Sequence, residues 1–456
     1  MGNRRLKTYV QNRSQLLSHG DKELRGVGLD LIDAALDAAD PYEATRRLVS
    51  LHKDTLQIAD LTYHLSGSRK IYVLGAGKAT FPIARALEDI LCDKLTDGLV
   101  VLKRGQGGSL KRIRIIEASH PIPDTSGFRG AKEVLELAQR AQEGDLVLAC
   151  ITGGSSALLP MPVDTVSLED KKRVNQLLLS CGASILEINA VRKHLSKIKG
   201  GRLGQAIFPA ELINLTVSDV SRDPLDCITD LTVPDTSTFR DALQTLWKYA
   251  LLEKVPASVR SHLERADPDQ ETPKDYGQQP YHSFIILNND SACAAAAAHA
   301  KSLGLNAMVL STMFEGESRE LGRVFAAIAE ETRRSQRPLS APCVLIGGGE
   351  TVVTLDRNFA QGGPNQEFVV SLALALQGHE NFVAVGLDTD GTDGPTHVAG
   401  AIADSSTVTS AAARKIDLSL ALEEHRVLPA LVDLGEVIIT GQTGTNVNDL
   451  KFLIMT

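Results

Sequence analysis

A glycine-rich run after an apolar segment is the first place where this sequence could bind an anion. YVLGAGKAT brings Gly75, Gly77 and Lys78 to the end of a β-like stretch. Glycine lets a backbone approach an anion closely, and the first N–H groups of a following helix are unpaired. The spacing fits neither a Walker A loop nor a dinucleotide-binding fingerprint. We predict an anion-binding turn in which Lys78 supplies charge; an ordinary strand-to-helix turn is the alternative.

A second run, CITGGSSALLPMP, repeats this arrangement. Small and hydroxyl-bearing residues at a helix start can hold a carboxylate or a phosphate, although an ordinary helix cap uses the same residue types. The nucleophile elbow GxSxG is not matched. The residues predicted to contact substrate or phosphate are Gly153, Gly154, Ser155 and Ser156.

Basic residues are concentrated in a third run, NAVRKHLSKIKGGRLGQ, although the chain has a formal net charge of −8. A local basic cluster in an acidic chain predicts an anionic ligand, and a solvated helix face is the alternative. We take Arg192 and His194 as candidate ligand contacts, noting that a single histidine is more often structural.

Carboxylates follow other apolar segments. Asp219 lies near the end of LTVSDV, and a carboxylate at the carboxyl end of a parallel strand can accept a hydroxyl proton or bind Mg²⁺. An Asx turn or a helix cap would also explain this aspartate. In LDTDGTDGPT, Asp390 and Asp393 lie in a turn-rich loop and predict a Mg²⁺ site that is shared with nucleotide phosphates.

Two further glycine-rich segments accompany that loop. IGGGETVVTL contains Gly348, Gly349 and Glu350, and GQTGTNVND runs from Gly441 to Asp449. Three such segments in one half of the chain favour a ligand-binding surface over isolated turns.

The elements that would position these residues alternate along the chain. The first sixty residues predict helices. Short apolar runs then alternate with helical stretches, which indicates a mostly parallel, doubly wound sheet in a first α/β domain over residues 1–236. A second α/β domain is predicted over 237–456, with 265–281 as a polar loop, and the ligand cleft is expected between the domains. The predicted strands are IYVLGAG, GLVVL, IRIIEAS, DLVLACITGG and ELINLTVSD, then HSFIILNN, NAMVLST, CVLIGGGE, TVVTL, FVAVGLDTDG and EVIIT.

Composition excludes several classes of protein. The 456 residues are 43% hydrophobic and 23% charged, as in folded globular chains, and the acidic balance argues against a nucleic-acid binder. No apolar run reaches the roughly 18 residues that a membrane span needs. Six scattered cysteines are typical of a reducing compartment. We therefore expect a cytoplasmic protein. Mitochondrial import is the alternative, because basic residues but no acidic ones precede Asp21.

Taken in order, the motifs resemble those of the MOFRL-type glycerate kinases: GAGKA, GGSSALLP, VRKHLSKIKGGRL, LTVSDV, GGGET, GGPNQE, TDGTDGPT and TGTNVND. The resemblance implies a Rossmann-like N-terminal domain, a smaller C-terminal α/β domain, and ATP-Mg²⁺ and D-glycerate as ligands. It implies that Lys78 contacts the acceptor or the transferring phosphate and that Asp219 orients or deprotonates the glycerate hydroxyl. The favoured product is 2-phosphoglycerate, and a homodimer is compatible with the sequence.

The chain departs from the family pattern at three places. Pro364 stands where the family's GGRNQE has arginine, Asp230 and Leu231 replace Gly-Pro, and Ser155 replaces glycine. Loss of an arginine from a phosphoryl-transfer site can cost several powers of ten in rate. The alternative function is therefore an impaired relative that binds nucleotide or a small acid without efficient turnover. In an active enzyme, Arg192 or Arg357 would assist Lys78.

Overall fold

The chain forms two compact units. The computed structural model describes residues 6–65, 69–355 and 361–456. We call Pro41–Ser218 with Asp223–Ile286 the Rossmann-like unit, and Met1–Asp40 with Asp219–Arg222 and Leu287–Thr456 the mixed-sheet unit. Each combines helices with a six-stranded sheet, which confirms the predicted α/β class. Within the described ranges, no helix is long and apolar enough to cross a membrane.

Helices and strands are numbered in chain order. The mixed-sheet unit begins with α1 (Arg13–Leu16) and α2 (Lys22–Ala38). The Rossmann-like unit continues with α3 (Pro41–Leu48), β1 (Val49–His52), β2 (Thr55–Ile58), β3 (Leu61–His64), β4 (Ile71–Ala76), α4 (Thr80–Leu91), β5 (Asp97–Lys103), β6 (Ile113–Ala118), α5 (Thr125–Ala138), β7 (Leu146–Ile151), α6 (Ser155–Leu158), α7 (Leu168–Leu179), α8 (Ile185–His194), α9 (Arg202–Ile207), β8 (Glu211–Val217), α10 (Leu225–Ile228), α11 (Phe239–Lys248), α12 (Ala257–Arg265) and β9 (Tyr281–Leu287). The mixed-sheet unit resumes with α13 (Asn289–Ser302), β10 (Asn306–Phe314), α14 (Ser318–Ser335), β11 (Cys343–Gly349), α15 (Pro364–Ala375), β12 (Phe382–Asp388), β13 (Gly400–Asp404), α16 (Thr407–Ala413), α17 (Leu418–Glu423), α18 (Val427–Leu434), β14 (Val437–Ile438) and β15 (Asp449–Met455).

The main sheet of the Rossmann-like unit has the strand order β6-β5-β4-β7-β8-β9, and its pairs from β6 to β8 are parallel. Counted from β4 as strand 1, this order is 3-2-1-4-5-6, the order of dinucleotide-binding sheets. The central strands β4 and β7 are buried at every residue, as expected for a parallel sheet that is covered on both faces. The predicted Rossmann-like topology is confirmed.

The mixed-sheet unit is organised around its last strand. The order is β10-β11-β15-β12-β13-β14, with β15 antiparallel to both β11 and β12. All residues of β15 are buried. Helix α2 packs against α13 in this unit, and Arg25 of α2 donates to Asp404 at 2.6 Å and to Glu436 at 2.8 Å. The amino-terminal helix is therefore part of the unit that the carboxyl-terminal strand completes.

The units divide the chain at other places than the predicted boundary at residues 236 and 237. Residues up to Asp40 belong to the mixed-sheet unit, and residues 237–286 remain in the Rossmann-like unit. The physical reason is packing: Phe239 and Leu246 of α11 share a hydrophobic cluster with Val191 of α8. The polar segment 265–281 lies within the Rossmann-like unit, where the Tyr276 hydroxyl donates to the Gly201 carbonyl at 2.8 Å.

Some local predictions are wrong. The first sixty residues are not all helical, because a turn at Lys53 (φ 56°) pairs β1 with β2 as a hairpin that buries Val49 and Leu56. TVVTL is not a strand and makes only a single bridge, between Val352 and Glu317. In the mixed-sheet unit two strands were missed, GAIAD (β13) and DLKFLIM (β15).

Candidate active site

Two of the predicted glycine-rich runs meet at the centre of the Rossmann-like sheet. Strands β4 and β7 are neighbours, and the strand order reverses between them, which is where ligands bind in open α/β sheets. The backbone N–H of Lys78, after β4, donates to the carbonyl of Gly153, after β7, at 2.8 Å. The run around Lys78 and the run around Gly153 therefore form one surface.

Close packing explains why two positions in this surface must be glycine. Gly77 has φ 138°, and a β-carbon there would lie 2.1 Å from the Thr152 hydroxyl. A β-carbon at Gly75 would lie 2.4 Å from the Cys150 carbonyl oxygen. The backbone of the first run is thus pressed against β7. Lys78 follows Gly77, precedes α4 and is half-buried.

A histidine that the sequence analysis did not select lies beside this surface. A β-carbon built at Gly154 (φ 86°) would be 3.1 Å from His120 Nε2 and 3.4 Å from Lys78 Cγ. His120 follows β6, so its position after a parallel strand was the available signal. Ser155 is buried, and its N–H donates to the Thr152 carbonyl at 3.2 Å, while Ser156 is half-buried.

The third run has a different role from the predicted one. His194 is fully buried: its Nδ1 lies 2.7 Å from the Ala190 carbonyl and its Nε2 lies 2.7 Å from Glu271 Oε1. Both ring nitrogens are used inside the Rossmann-like unit, and the ring packs on Phe239 at 4.6 Å. His194 therefore does not fit the predicted ligand contact. Arg192 is half-buried and donates through Nε to Asn175 at 3.0 Å.

Most of the positive charge of this run is neutralised internally. Lys193 binds Asp235 at 2.9 Å and Lys199 binds Asp230 at 3.4 Å, and all four side chains are buried. Burial alone would raise the pKa of Asp235, but Lys193 holds it below its ordinary value. Asp230, one of the departures from the family pattern, thus supplies the counter-charge of a buried lysine. The run stabilises the fold more than it offers charge to a ligand.

The glycine-rich segments of the mixed-sheet unit converge on Asp449, the first residue of β15. Asp449 pairs in register with Gly349 of β11 and with Asp388 of β12. Its carboxylate accepts from Asn365 Nδ2 at 2.7 Å and from Lys451 Nζ at 2.8 Å. The segments GGGET, GGPNQE, LDTDG and TNVND therefore meet at one end of the central strands β11, β15 and β12.

Packing also explains the predicted glycines of the first of these segments. A β-carbon at Gly348 would lie 1.6 Å from Asn289 Oδ1, and one at Gly349 (φ 126°) would lie 2.3 Å from the Phe314 carbonyl. Glu350 is exposed, and its N–H donates to the same Phe314 carbonyl at 3.0 Å. Their predicted contacts with substrate or phosphate remain predictions. Arg357 lies outside the described residues.

The carboxylate of Asp393 does not fit the predicted magnesium site. Asp393 is 1% exposed, and its oxygens accept four hydrogen bonds, from the backbone and side-chain N–H groups of Asn365 and Gln366 at 2.9 to 3.1 Å. Burial, with the nearby charge of Asp449, raises the pKa of Asp393 to about 6 against these hydrogen bonds. Asp390 Oδ1 accepts from the N–H and the hydroxyl of Thr392. Among the residues that the structure describes, no group of three or more His, Cys, Asp and Glu side chains is placed to hold a metal ion.

Asp219, the predicted proton acceptor, follows β8 by two residues and is half-buried. Its Oδ2 accepts a hydrogen bond from Asn446 Nδ2 at 2.9 Å. Both residues belong to the mixed-sheet unit. The sequence analysis recognised the segment of Asn446 but not this contact, since no local pattern relates two residues 227 positions apart.

Comparison with known proteins agrees with this architecture. Two family models match: DUF4147, a domain of unknown function, over residues 28–264, and the MOFRL family over residues 343–449. A glycerate 2-kinase from Pyrococcus horikoshii is 43% identical over 437 residues, covering 95% of this chain and 98% of that protein. A relative in Agrobacterium vitis, 37% identical over 455 residues and covering 99% of both chains, is instead named as a hydroxypyruvate reductase. The crystal structure of a glycerate kinase from Thermotoga maritima has a TM-score of 0.83 at 36% identity, covering 95% of this chain and 100% of that one.

These similarities span both units and nearly the full length of the relatives. The MOFRL match contains all four segments that meet around Asp449, and the DUF4147 match contains the joined turns of Lys78 and Gly153. The order of motifs, the strand order and the sequence identity therefore all indicate the same family. This chain belongs to the MOFRL-type glycerate kinase family.

Proposed function

We propose that this protein transfers the terminal phosphoryl group of ATP to the 2-hydroxyl of D-glycerate and forms 2-phosphoglycerate and ADP. The observation that carries the proposal is the junction of the Lys78 and Gly153 turns at the point where the strand order reverses. A lysine side chain beside closely packed glycines at such a point suits a phosphate group. The near-full-length similarity to a protein named glycerate 2-kinase supports the acceptor and the position of transfer.

Two side chains have roles in the proposed reaction. Lys78 would neutralise charge that spreads over the oxygens of the transferring phosphoryl group, because phosphoryl transfer depends mainly on positioning and electrostatic stabilisation. Asp219 would accept the hydroxyl proton while the glycerate oxygen bonds to phosphorus and the bond to the ADP oxygen breaks. Lys78 and Asp219 each follow a strand of the same parallel sheet by two residues, β4 and β8 respectively.

Magnesium enters the proposal only as part of the nucleotide substrate. Mg²⁺ commonly binds through nucleotide phosphates with few protein ligands. Since the oxygens of Asp393 are already occupied by four N–H donors, no step of the proposed reaction depends on that residue as a metal ligand.

Pro364 motivates the alternative, an impaired relative. It occupies the first turn of α15, directly after the cap residue Gly363, a position that suits proline because the missing N–H would be unpaired there in any case. It cannot supply the positive charge that the family arginine would bring. The alternative therefore differs from the main proposal in turnover and not in binding.

The test is an assay of the purified full chain with ATP, Mg²⁺ and D-glycerate, with L-glycerate as the matched control. We expect ADP release that depends on D-glycerate, with a product that NMR identifies as 2-phosphoglycerate. Nucleotide binding without turnover, rescued by Pro364→Arg, would favour the impaired relative. Oxidation of NADH with hydroxypyruvate and no ADP release would refute the kinase and support the name that the Agrobacterium relative carries.

A further inference from the structure

A buried irregular segment adjoins β15. Residues 445–448 form neither helix nor strand, yet all four are buried. Connecting segments normally run over the surface, because a buried backbone must find partners for its N–H and carbonyl groups. The partners of this segment therefore indicate what the burial achieves.

Two side chains from other elements of the unit bind the backbone of the segment. The Thr389 hydroxyl donates to the Asn448 carbonyl at 2.8 Å and accepts from the Val447 N–H at 2.9 Å. Asn289 Nδ2 donates to the Val447 carbonyl at 2.7 Å. Thr389 follows β12 and Asn289 begins α13, so rigid elements on both sides hold the segment. Such support fixes the direction of the side chain between them.

That side chain is Asn446, which is 7% exposed and donates to Asp219 Oδ2 at 2.9 Å. An amide donor restricts the rotation of a carboxylate without adding a full charge. A lysine in its place would hold the proton affinity of Asp219 down, because an opposite charge favours the ionised carboxylate. A neutral donor such as the Asn446 amide can thus orient the Asp219 carboxylate and leave it able to accept a proton.

We infer that Asn446 is a positioning residue for phosphoryl transfer, which holds the Asp219 carboxylate in the orientation that receives the hydroxyl proton. This inference rests on the proposed function. It assigns a role to the segment TGTNVND, in which the contacts of the Val447 and Asn448 backbone support the Asn446 side chain. The effect of Asn446 on the reaction passes through Asp219.

The test compares Asn446→Asp with the wild-type protein. Aspartate keeps the size of the side chain but replaces the N–H donor by an oxygen that repels Asp219. We expect kcat to fall about 10- to 100-fold, the range for a misplaced catalytic group, with the KM for D-glycerate nearly unchanged. The acid limb of the pH profile of kcat should move to higher pH, because a neighbouring negative charge raises the pKa of a carboxylate. Gln377→Ala, at an exposed residue just after α15 and outside the segments assigned to the site, is the control and should leave kcat, KM and Tm unchanged.

The same substitution in the Asp219→Asn variant distinguishes a positioning role of Asn446 from a purely structural one. In Asp219→Asn, adding Asn446→Asp should cause no further loss of kcat, since the residue that Asn446 orients is already inactive. The positioning role would be overturned if the kcat losses of the two single variants multiplied in the double variant. It would also be overturned if Asn446→Asp lowered both kcat and Tm but left the pH profile of kcat unchanged. Unchanged kcat in Asn446→Asp alone would do the same while leaving the proposed function intact. A wild-type chain without D-glycerate-dependent ADP release would overturn both.

Discussion

Gln366 binds Asp393 twice, through its backbone N–H at 3.0 Å and its side-chain Nε2 at 2.9 Å, and both bonds reach the same carboxylate oxygen. Asn365 makes the corresponding pair of bonds to the other oxygen. A buried carboxylate with four N–H donors caps the start of α15. Asp393 thereby links the loop after β12 to that helix, and its carboxylate lies in the protein interior.

Asp393→Asn is therefore expected to reduce stability and not metal affinity. Replacing one oxygen by an amide removes the acceptor of two buried N–H donors, which costs about 2–5 kcal/mol in the free energy of unfolding. Urea unfolding measures this cost. The control is Asp417→Asn, at an exposed cap that accepts one bond, from Leu420 N, and it should change stability little. A normal unfolding curve together with a higher Mg²⁺ requirement would contradict this expectation and return Asp393 to a metal site.

Lys78→Ala is expected to leave the fold intact and to lower kcat by about two powers of ten or more, because the lost charge acts on the transferring phosphoryl group. The side chain is half-buried and lies in a turn, so its removal leaves no core cavity. ADP release and melting temperature are measured on the same preparation. Lys132→Ala, at an exposed lysine of α5, is the control for removal of a positive charge. Near-normal turnover in Lys78→Ala would remove this residue from the proposed mechanism.

Asp219→Asn is expected to lower kcat by about two to four powers of ten, the range for a general base, with little change in substrate affinity. If Asp219 were only a turn or cap residue, asparagine would serve nearly as well and kcat would barely move. Steady-state kinetics and the melting temperature of the one variant decide between these roles. A stable variant with normal kcat would exclude proton transfer to Asp219.

The free energy of unfolding is expected to depend on pH through the protonation of Glu436. Arg25 faces two buried carboxylates, Asp404 and Glu436, and one guanidinium cannot neutralise both. Burial raises the pKa of Glu436 to about 7 against the opposing effect of Arg25, whereas the pKa of Asp404 is lowered, burial being outweighed by Arg25. Glu436 Oε2 is buried and makes no hydrogen bond among the described residues, which suits a carboxyl that is protonated in the folded state.

A carboxyl whose pKa rises on folding contributes stability below its ordinary pKa of 4.5, and that contribution is lost as pH rises through about 7. The wild-type protein should therefore lose about 1–3 kcal/mol more stability than Glu436→Gln between pH 5 and pH 8. Glu320→Gln, at a half-exposed carboxylate of α14, should follow the wild-type curve. Parallel curves for wild type and Glu436→Gln would show that Glu436 is ionised throughout.

The sequence analysis succeeded where local patterns determine structure. The apolar runs around Gly75 and before Gly153 predicted strands of a mostly parallel sheet, and the 3-2-1-4-5-6 order brings the turns that follow these strands together. It failed where a residue's partner is remote in sequence. His194 was taken for a ligand contact because Glu271 lies 77 residues away, although that carboxylate occupies its Nε2.

A buried charge explains why one of the missed strands was not predicted. DLKFLIM contains Lys451, a residue that usually argues against a buried central strand, and Asp449 beside it supplies the counter-charge. The division into compact units differs from the predicted domain boundary because it depends on contacts between segments that are remote in the sequence. Nothing near Arg25 in the sequence indicates that its partners are Asp404 and Glu436.

The pairing of α2 with the carboxyl-terminal strands has a consequence for synthesis on the ribosome. Residues are made in order, and domains generally fold as units. The Rossmann-like unit is complete once Ile286 has emerged, but Arg25 must wait for Asp404 and Glu436, and the central strand β15 arrives last. Although α13, against which α2 packs, is made earlier, the unit that holds α2 therefore lacks its central strand until β15 has been made. We expect a nascent chain that is halted before β15 to protect the Rossmann-like unit from protease while α2 stays open to cleavage.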